Sequence, residues 1–226
     1  VLVHACPALD DDGGVDYRVV QRSRDQLSAE AEHIAGALPF PEEADRPRVV
    51  VALPLFQPFN LELVLTLAFG YGAQLQLDDD PAPRRLLPRV RDGRPGLVPC
   101  TRAMLRSLRS LPSARKLEHD PRFVCVDGAV GRDLSKETVK ALGVRPRGAL
   151  HLPAAGLLAL DPDGKSPHTV GAPLPGVDVQ ILGVKGAPVA SGRKGHLQVQ
   201  SPALSAPSDD QGWWDTGELA TRDKAG

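Results

Sequence analysis

The chain has 226 residues and a formal net charge of -1, and 42% of its residues are hydrophobic. The near-zero charge argues against nucleic-acid binding, which usually leaves a basic surface, and the apolar content is too high for a disordered chain. Glycine and proline number 22 each, which predicts many short elements and turns instead of long bundled helices. The length suffices for one large domain or two small ones with a buried core.

Neither a membrane span nor a secretory signal is predicted. The apolar runs at residues 49–56 and 61–72 are short and interrupted by Pro54 and Glu62, whereas a bilayer span needs about 20 continuous apolar residues. The first residues lack the basic and apolar segments of a signal peptide. The three cysteines are widely spaced and form no C-x-x-C motif, which predicts reduced thiols in a cytoplasmic protein.

Helical and strand patterns alternate through the first 142 residues. Apolar residues at helical spacing predict a helix over residues 26–38, and the β-branched run at 49–53 predicts a strand buried on both faces. The same criteria predict helices over 61–68, 84–91, 101–111 and 135–142, and strands over 73–77, 96–98 and 122–126. Such alternation favours an α/β fold with a parallel sheet and crossover helices.

The pattern changes after about residue 160. Residues 161–164 read DPDG and predict a turn, and residues 177–182 and 196–200 alternate apolar with polar residues. That alternation is typical of half-exposed antiparallel strands. We therefore predict an α/β subdomain over residues 1–160 and a β-rich subdomain over residues 161–226.

Three motifs in the last third of the chain carry a family resemblance. Residues 170–182 read VGAPLPGVDVQIL, residues 190–197 read ASGRKGHL and residues 212–220 read GWWDTGELA. This series resembles the adenylate-forming acyl-CoA and aryl-CoA ligases of the AMP-binding superfamily, which typically read VGxPLPGVxVxI, PxGxxGELxVxG and GWxxTGDLAxxD. Upstream, residues 53–57 (LPLFQ), 97–105 (LVPCTRAML) and 124–129 (VCVDGA) are similar to the family's LPLFH, GVPTMLxxL and VSGGA stretches more loosely.

The resemblance implies both a fold and a chemistry. The fold would be part of the family's large N-terminal domain, a parallel sheet followed by a distorted antiparallel β-barrel segment. The chemistry would be activation of a carboxylate by ATP to an acyl-adenylate, followed by transfer to a thiol. It also implies that the family's part before the phosphate loop lies outside these 226 residues, and that the chain stops near the hinge to the family's mobile lid domain.

Two motifs that bind phosphate and magnesium in the family are altered. The stretch aligned with the phosphate loop, residues 9–20, reads LDDDGGVDYRVV, with four carboxylates and no Ser, Thr or Lys, so it repels a polyanion. Setting the family's YGxTEAG on residues 150–156 puts Leu150 for the tyrosine, Pro153 for the threonine and Ala154 for the glutamate. The resemblance therefore implies a degenerate member with no catalytic residue, no metal site and no cofactor.

Other positions keep part of a nucleotide and acyl site. Glu218 stands where the family has the Asp that accepts hydrogen bonds from the ribose hydroxyls, and Thr216 precedes it. The resemblance implies a vestigial nucleotide and acyl site at Glu218, Thr216, Asp127, Gly128 and Ala129, and an acyl pocket at Gln57 and Phe56.

Two other sequence features are weaker. His151 has no neighbour in the sequence that would orient it as a base, so we predict a packed or surface histidine. Residues 164–166 read GKS, like the end of a phosphate-binding loop, but Ala159 stands where the required glycine would be. We therefore reject a P-loop here.

Two functions remain open. The first is a non-catalytic acyl-CoA-synthetase-like protein that binds a partner protein, a second copy of itself, or an acyl or aryl small molecule. The alternative is an AMP-forming carboxylate–CoA ligase completed by another chain, which would use ATP or AMP and magnesium. Neither hypothesis involves nucleic acid or a membrane span.

Overall fold

The computed structural model describes residues 2–9, 15–38, 47–78, 80 and 82–224. Of the stretch aligned with the family's phosphate loop, residues 9–20, residues 10–14 lie outside the described part. In chain order the elements are β1 (Leu2–Leu9), β2 (Val15–Arg22), α1 (Arg24–Ala37), β3 (Arg48–Val51), α2 (Pro58–Leu65) with a π-helical turn (Thr66–Gly70), β4 (Gln74–Leu77), α3 (Pro83–Gly93), β5 (Leu97–Cys100), α4 (Arg102–Arg109), β6 (Arg122–Cys125), α5 (Arg132–Leu142), β7 (Arg147–Leu152), β8 (Gly156–Leu160), β9 (Ala172–Pro173), β10 (Asp178–Leu182), β11 (Gly195–Gln200) and β12 (Trp214–Ala220).

Local sequence accounts for where the helices begin and end. At the start of α1, the Ser23 hydroxyl accepts the Gln26 backbone N–H while the Gln26 side chain accepts that of Ser23, a reciprocal cap. Helix α3 begins with Pro83, whose missing N–H costs nothing in the first turn. Helix α5 ends at Gly143, which takes the left-handed conformation with φ of 79°.

A seven-stranded sheet forms the centre of the molecule, in the order β4-β3-β5-β6-β7-β8-β9. The strands from β4 to β7 run parallel, and β8 and β9 add antiparallel. The predicted parallel sheet with crossover helices is therefore confirmed. The antiparallel pairing begins earlier than the sequence pattern suggests, because β7 and β8 form a hairpin, and the sheet extends past residue 160 through β9.

The two faces of this sheet are covered by different helices. Because side chains alternate along a strand, Val50 points to one face while Val49 and Val51 point to the other. Helices α3, α4 and α5 pack on the first, which we call the α3–α5 face, with Leu105 and Phe123 fully buried there. Helices α1 and α2 cover the opposite face, the α1–α2 face, where the core contains Ile34, Leu38, Phe59, Leu63 and Leu157.

Two smaller antiparallel sheets complete the described part. Strands β10, β11 and β12 form one, which confirms the predicted antiparallel segment, with a register shift between His196 and Gln198. Within the described residues it is an open three-stranded sheet and no closed barrel is formed. Strands β1 and β2 pair as a hairpin that the sequence pattern does not predict.

Candidate functional site

Residues 127–129 follow β6 at the carboxyl edge of the parallel sheet. Gly128, with φ of 105°, forms a β-bridge with Ala149 of β7. The Asp127 carboxylate accepts the Arg102 backbone N–H at 3.1 and 3.2 Å and the Arg102 Nε at 3.2 Å. Asp127 therefore lies at the N-terminus of α4, where the helix dipole and the guanidinium stabilise its charge.

The turn between β7 and β8 contains Pro153 and Ala154, the residues that the sequence resemblance sets on the family's phosphate and magnesium motif. The Pro153 carbonyl accepts Nη1 of Arg22 at 3.2 Å. The Ala154 carbonyl accepts the backbone N–H of Ser205 at 2.7 Å and its hydroxyl at 3.1 Å. The backbone carbonyls of this turn accept hydrogen bonds from other residues of the same chain. The turn carries no hydroxyl or carboxylate side chain for a nucleotide phosphate or a magnesium ion.

A buried charged cluster lies directly behind this turn. Glu62 of α2 contacts Arg22 at 3.1 Å through Oε1, and His151 Nε2 at 3.1 Å through Oε2. The side chains of Arg22 and Glu62 are 0% and 1% exposed. Glu30 of α1 joins them and accepts the Leu157 backbone N–H at 2.9 and 3.0 Å. We call Arg22, Glu30, Glu62 and His151 the buried charged cluster.

Burial sets the protonation of Glu30. Loss of water raises the pKa of Glu30 to about 7, an effect that His151 opposes and Glu62 reinforces, while the Leu157 N–H and Arg22 also lower it. A carboxyl group in so apolar a position favours its neutral form. Burial therefore favours the protonated form of Glu30 more than in water, next to the ion pair of Arg22 and Glu62.

The donor atoms of Glu30, Glu62 and His151 lie within 4.8 Å of one another, close enough for one cation to touch all three. Arg22 already supplies a positive charge to Glu62 at hydrogen-bond distance. A divalent ion placed here would meet that guanidinium in a region of low dielectric. The cluster therefore fits an internal ion network better than a metal centre.

His151 is more constrained than the sequence indicates. We predicted that nothing orients it, but Glu62 holds Nε2 and the Phe59 ring meets the imidazole edge-on, with centroids 5.2 Å apart. The His151 side chain is 5% exposed. Of the two predicted positions, packed or at the surface, the structure shows the packed one, and the predicted absence of an orienting group is wrong.

The predicted acyl-pocket residues lie at the start of α2. Phe56 is 79% exposed, and the Gln57 amide oxygen accepts Nδ2 of Asn60 at 3.0 Å. The next aromatic residue, Phe59, is buried against His151. Phe56 and Gln57 thus lie just before α2, with Phe56 at the surface, whereas Glu62 of the buried charged cluster lies on the buried side of the same helix.

Strand β12 carries the residues predicted to bind ribose. The Thr216 hydroxyl donates to the Leu197 carbonyl at 2.8 Å and accepts the Glu218 backbone N–H at 3.1 Å. Within the described part of the chain, the exposed Glu218 carboxylate makes no hydrogen bond or ion pair, and no such contact joins Thr216–Glu218 to residues 127–129. Glu218 is available to a ligand, while Thr216 is engaged within its own sheet.

No sequence motif connects Arg22, Glu30 and Glu62 as a group. One signal was present, because Glu62 interrupts the apolar run at residues 61–72. The partners of Glu62 are Arg22, 40 positions before it, and His151, 89 positions after it. No local periodicity connects residues so far apart in the sequence.

Comparison with known proteins agrees with the fold and the motifs. The family model for AMP-binding enzymes matches residues 19–206. Anthranilate–CoA ligase of Pseudomonas aeruginosa is 31% identical over 169 residues, which are 69% of this chain and 32% of that protein.

Solved structures show the same architecture. O-succinylbenzoate coenzyme A synthetase from Bacillus subtilis, in complex with an acyl-adenylate intermediate, superposes with a TM-score of 0.86 at 18% identity, over 99% of this chain and 47% of that one. ATP-bound MatB from Rhodopseudomonas palustris gives 0.83 at 16% identity, over 98% and 46%. The chain thus spans about a third of the sequence relative and just under half of each of these structures.

The fold is that of the N-terminal domain of adenylate-forming ligases. The chain belongs to the AMP-binding enzyme family, as its motifs indicate. Within the described residues, no helix is long and apolar enough to cross a membrane.

Proposed function

We propose that this chain is an acyl-CoA-synthetase-like protein that does not form an acyl-adenylate by itself and that binds a partner protein, a second copy of itself, or an acyl or aryl ligand. The observation that carries the proposal is the turn between β7 and β8. Pro153 and Ala154 stand where the family has the hydroxyl and the metal ligand, and their carbonyls are engaged by Arg22 and Ser205.

The energetic argument rests on charge stabilisation. Phosphoryl and adenylyl chemistry depends on preorganised donors and a cation around developing negative charge, and removal of one such donor costs about 3–4 kcal/mol. Here two adjacent side-chain positions are changed together. Losses of that kind lower a rate by several orders of magnitude even when they are not additive.

A second candidate is an AMP-forming carboxylate–CoA ligase that another chain completes. Glu218 favours it, because an exposed and unengaged carboxylate is retained where the family binds ribose. Under this hypothesis ATP or AMP and magnesium would bind, and an aromatic carboxylate is the first substrate class to test.

Domain organisation and location are part of the proposal. We retain residues 1–160 and 161–226 as the two proposed structural units, although β9 of the second unit completes the sheet of the first. The vestigial nucleotide and acyl site is proposed at Asp127, Gly128, Ala129, Thr216 and Glu218, and the acyl pocket at Gln57 and Phe56. A cytoplasmic location is supported by Cys100 and Cys125, which are free thiols although their sulfur atoms lie 3.8 Å apart.

Calorimetric titration distinguishes the two candidates. The chain is titrated with AMP, with ATP and magnesium, and with a non-hydrolysable aryl-adenylate analogue, beside Glu218→Ala as the matched variant. The proposal predicts no gain in affinity for ATP from added magnesium, because Ala154 supplies no metal ligand. Magnesium-dependent binding of ATP that Glu218→Ala abolishes would establish the alternative.

A further inference from the structure

A groove between α5 and the turn after β8 collects basic side chains. Its volume is about 760 Å³. Four of its nine lining residues are Lys or Arg, a fifth is His, and none carries a carboxylate. We call this the α5 groove, and it is lined by Arg132, Ser135, Lys136, Val139, Arg145, Gly164, Lys165, Pro167 and His168.

Three of the cations in the α5 groove are uncompensated. Arg132, Lys136 and Arg145 are exposed, and none of their side chains has an ion pair or hydrogen bond within the described residues. The fourth, Lys165, contacts the Asp163 carboxylate. Three unpaired cations in one groove repel one another, and a bound anion would reduce this electrostatic repulsion.

The neighbouring helix does not share this pattern. On α4, Arg102 pairs with Asp127 at 3.2 Å and Arg109 pairs with Glu137 at 3.0 Å. On α4 only Arg106 lacks an ion pair within the described residues, whereas three cations of the α5 groove lack one, although the whole chain carries a net charge of -1.

The floor of the groove adds neutral donors. Ser135 is 6% exposed, and its hydroxyl has no hydrogen-bond partner in the described part of the chain. Helix α5 begins after Gly131 without a side-chain cap, and Asp133 in its first turn faces the positive end of the helix dipole together with Arg132.

Two close contacts hold the walls of the groove together. The Gly131 backbone N–H donates to the Pro167 carbonyl at 2.6 Å. Gly164, with φ of 68°, lies so close to Arg145 and Pro146 that a Cβ atom would meet their atoms at 2.9 Å. The groove is therefore formed before any ligand binds, as is usual for small-molecule sites.

We propose that the α5 groove binds a small polyanion with two or more phosphate groups. Small-molecule sites range over about 300–1,000 Å³, which includes this volume. Arg and Lys are the side chains that recognise phosphate oxygens, and several of them around one ligand favour a multivalent anion over a single carboxylate. The groove shares no residue with Asp127–Ala129 or Thr216–Glu218, so this site is separate from the vestigial nucleotide site.

Inorganic tripolyphosphate is the probe. Calorimetry and amide NMR at low salt should detect binding, with shifts confined to residues 132–139 and 164–168, and higher salt should weaken it because exposed charges are screened. Arg132→Gln/Lys136→Gln should lower the affinity at least tenfold. The control Lys185→Gln/Lys194→Gln removes the same charge from exposed positions beside β10 and β11, and should change the affinity less than twofold.

Three results would overturn the proposal. They are no binding of tripolyphosphate to the folded wild-type chain at low salt, an equal loss in both double variants, and tighter binding of a deca-glutamate peptide than of tripolyphosphate. The last would instead mark the groove as a surface for an acidic protein segment. None of these results bears on the vestigial nucleotide site, which the AMP titration and Glu218→Ala test independently.

Discussion

The two faces of the central sheet are built from different chemistry. The α3–α5 face is closed by aliphatic and aromatic side chains and the two thiols, with Leu105 and Phe123 at its centre. The α1–α2 face has a similar apolar core but also buries Arg22, Glu30 and Glu62 behind the turn that replaces the phosphate motif. Buried charges contribute little net stability. Both faces therefore stabilise the fold through apolar packing, and the buried charges of the α1–α2 face in addition fix the arrangement of one turn and its neighbours.

The largest effect is expected from breaking the ion pair on the α1–α2 face. Glu62→Leu leaves the Arg22 guanidinium buried without its carboxylate, which should cost about 3–5 kcal/mol of unfolding free energy. The double variant Arg22→Leu/Glu62→Leu should recover most of that loss, because it removes both charges. Urea denaturation of the three proteins gives the comparison. A single variant as stable as the wild type would show that Arg22 reaches water.

On the α3–α5 face, a substitution that leaves a cavity should lower the free energy of unfolding. Leu105 is fully buried, and Leu105→Ala should destabilise the protein by about 2–5 kcal/mol because the surrounding side chains collapse only partly. Leu219, which is 62% exposed, is the matched control, and Leu219→Ala should stay within about 0.5 kcal/mol. Equal effects of the two substitutions would contradict the close packing of this face.

A pH effect should separate the two faces. The pKa of Glu30 rises from 4.5 to about 7 on folding, so the folded state holds the proton more tightly. Stability should therefore fall as the pH rises through that window, by about 3 kcal/mol in all.

The variant Glu30→Gln keeps a side-chain oxygen that can accept the Leu157 backbone N–H, but it has no carboxyl group that gains or loses a proton. The stability difference between Glu30→Gln and the wild type should shift in favour of the variant between pH 4.5 and 8. Chemical denaturation at several pH values measures it, with Leu105→Ala as the reference whose difference from the wild type stays constant. A difference for Glu30→Gln that does not change with pH would show that Glu30 is solvated.

The smallest effect concerns the carboxyl edge of the sheet. Asp127→Asn removes the charge beside the N-terminus of α4 and Arg102, and should cost about 0.3–1 kcal/mol, less at high salt. Thermal unfolding at two salt concentrations tests it. A larger loss that is independent of salt would mean that Asp127 acts through packing.

The sequence predicts much of the sheet because its strands and helices are locally encoded. The β-branched run at Val49–Val51 and the helical spacing in α1 and α5 determine those elements within a few residues. The sequence pattern does not predict the hairpin of β7 and β8, because the formation of these two strands depends on their pairing with the rest of the sheet.

The candidate site was only partly predictable for a different reason. Motif spacing points to Glu218 and residues 127–129 as candidates, but it does not reveal which of these side chains form hydrogen bonds or ion pairs with other residues of the chain. Asp127 is taken by Arg102, whereas Glu218 is left exposed. The buried charged cluster joins residues up to 131 positions apart, as in the contact of Arg22 with Pro153, and such contacts arise only from the tertiary fold.

Pyrophosphate exchange tests the central claim most directly. Purified protein is incubated with ATP, magnesium, labelled pyrophosphate and an aromatic carboxylate such as anthranilate, and incorporation of label into ATP is counted. We predict no exchange above the protein-free blank, for the wild type and for Glu218→Ala alike. Exchange that saturates with the carboxylate and disappears in Glu218→Ala would contradict the proposal and establish this chain as an adenylating enzyme.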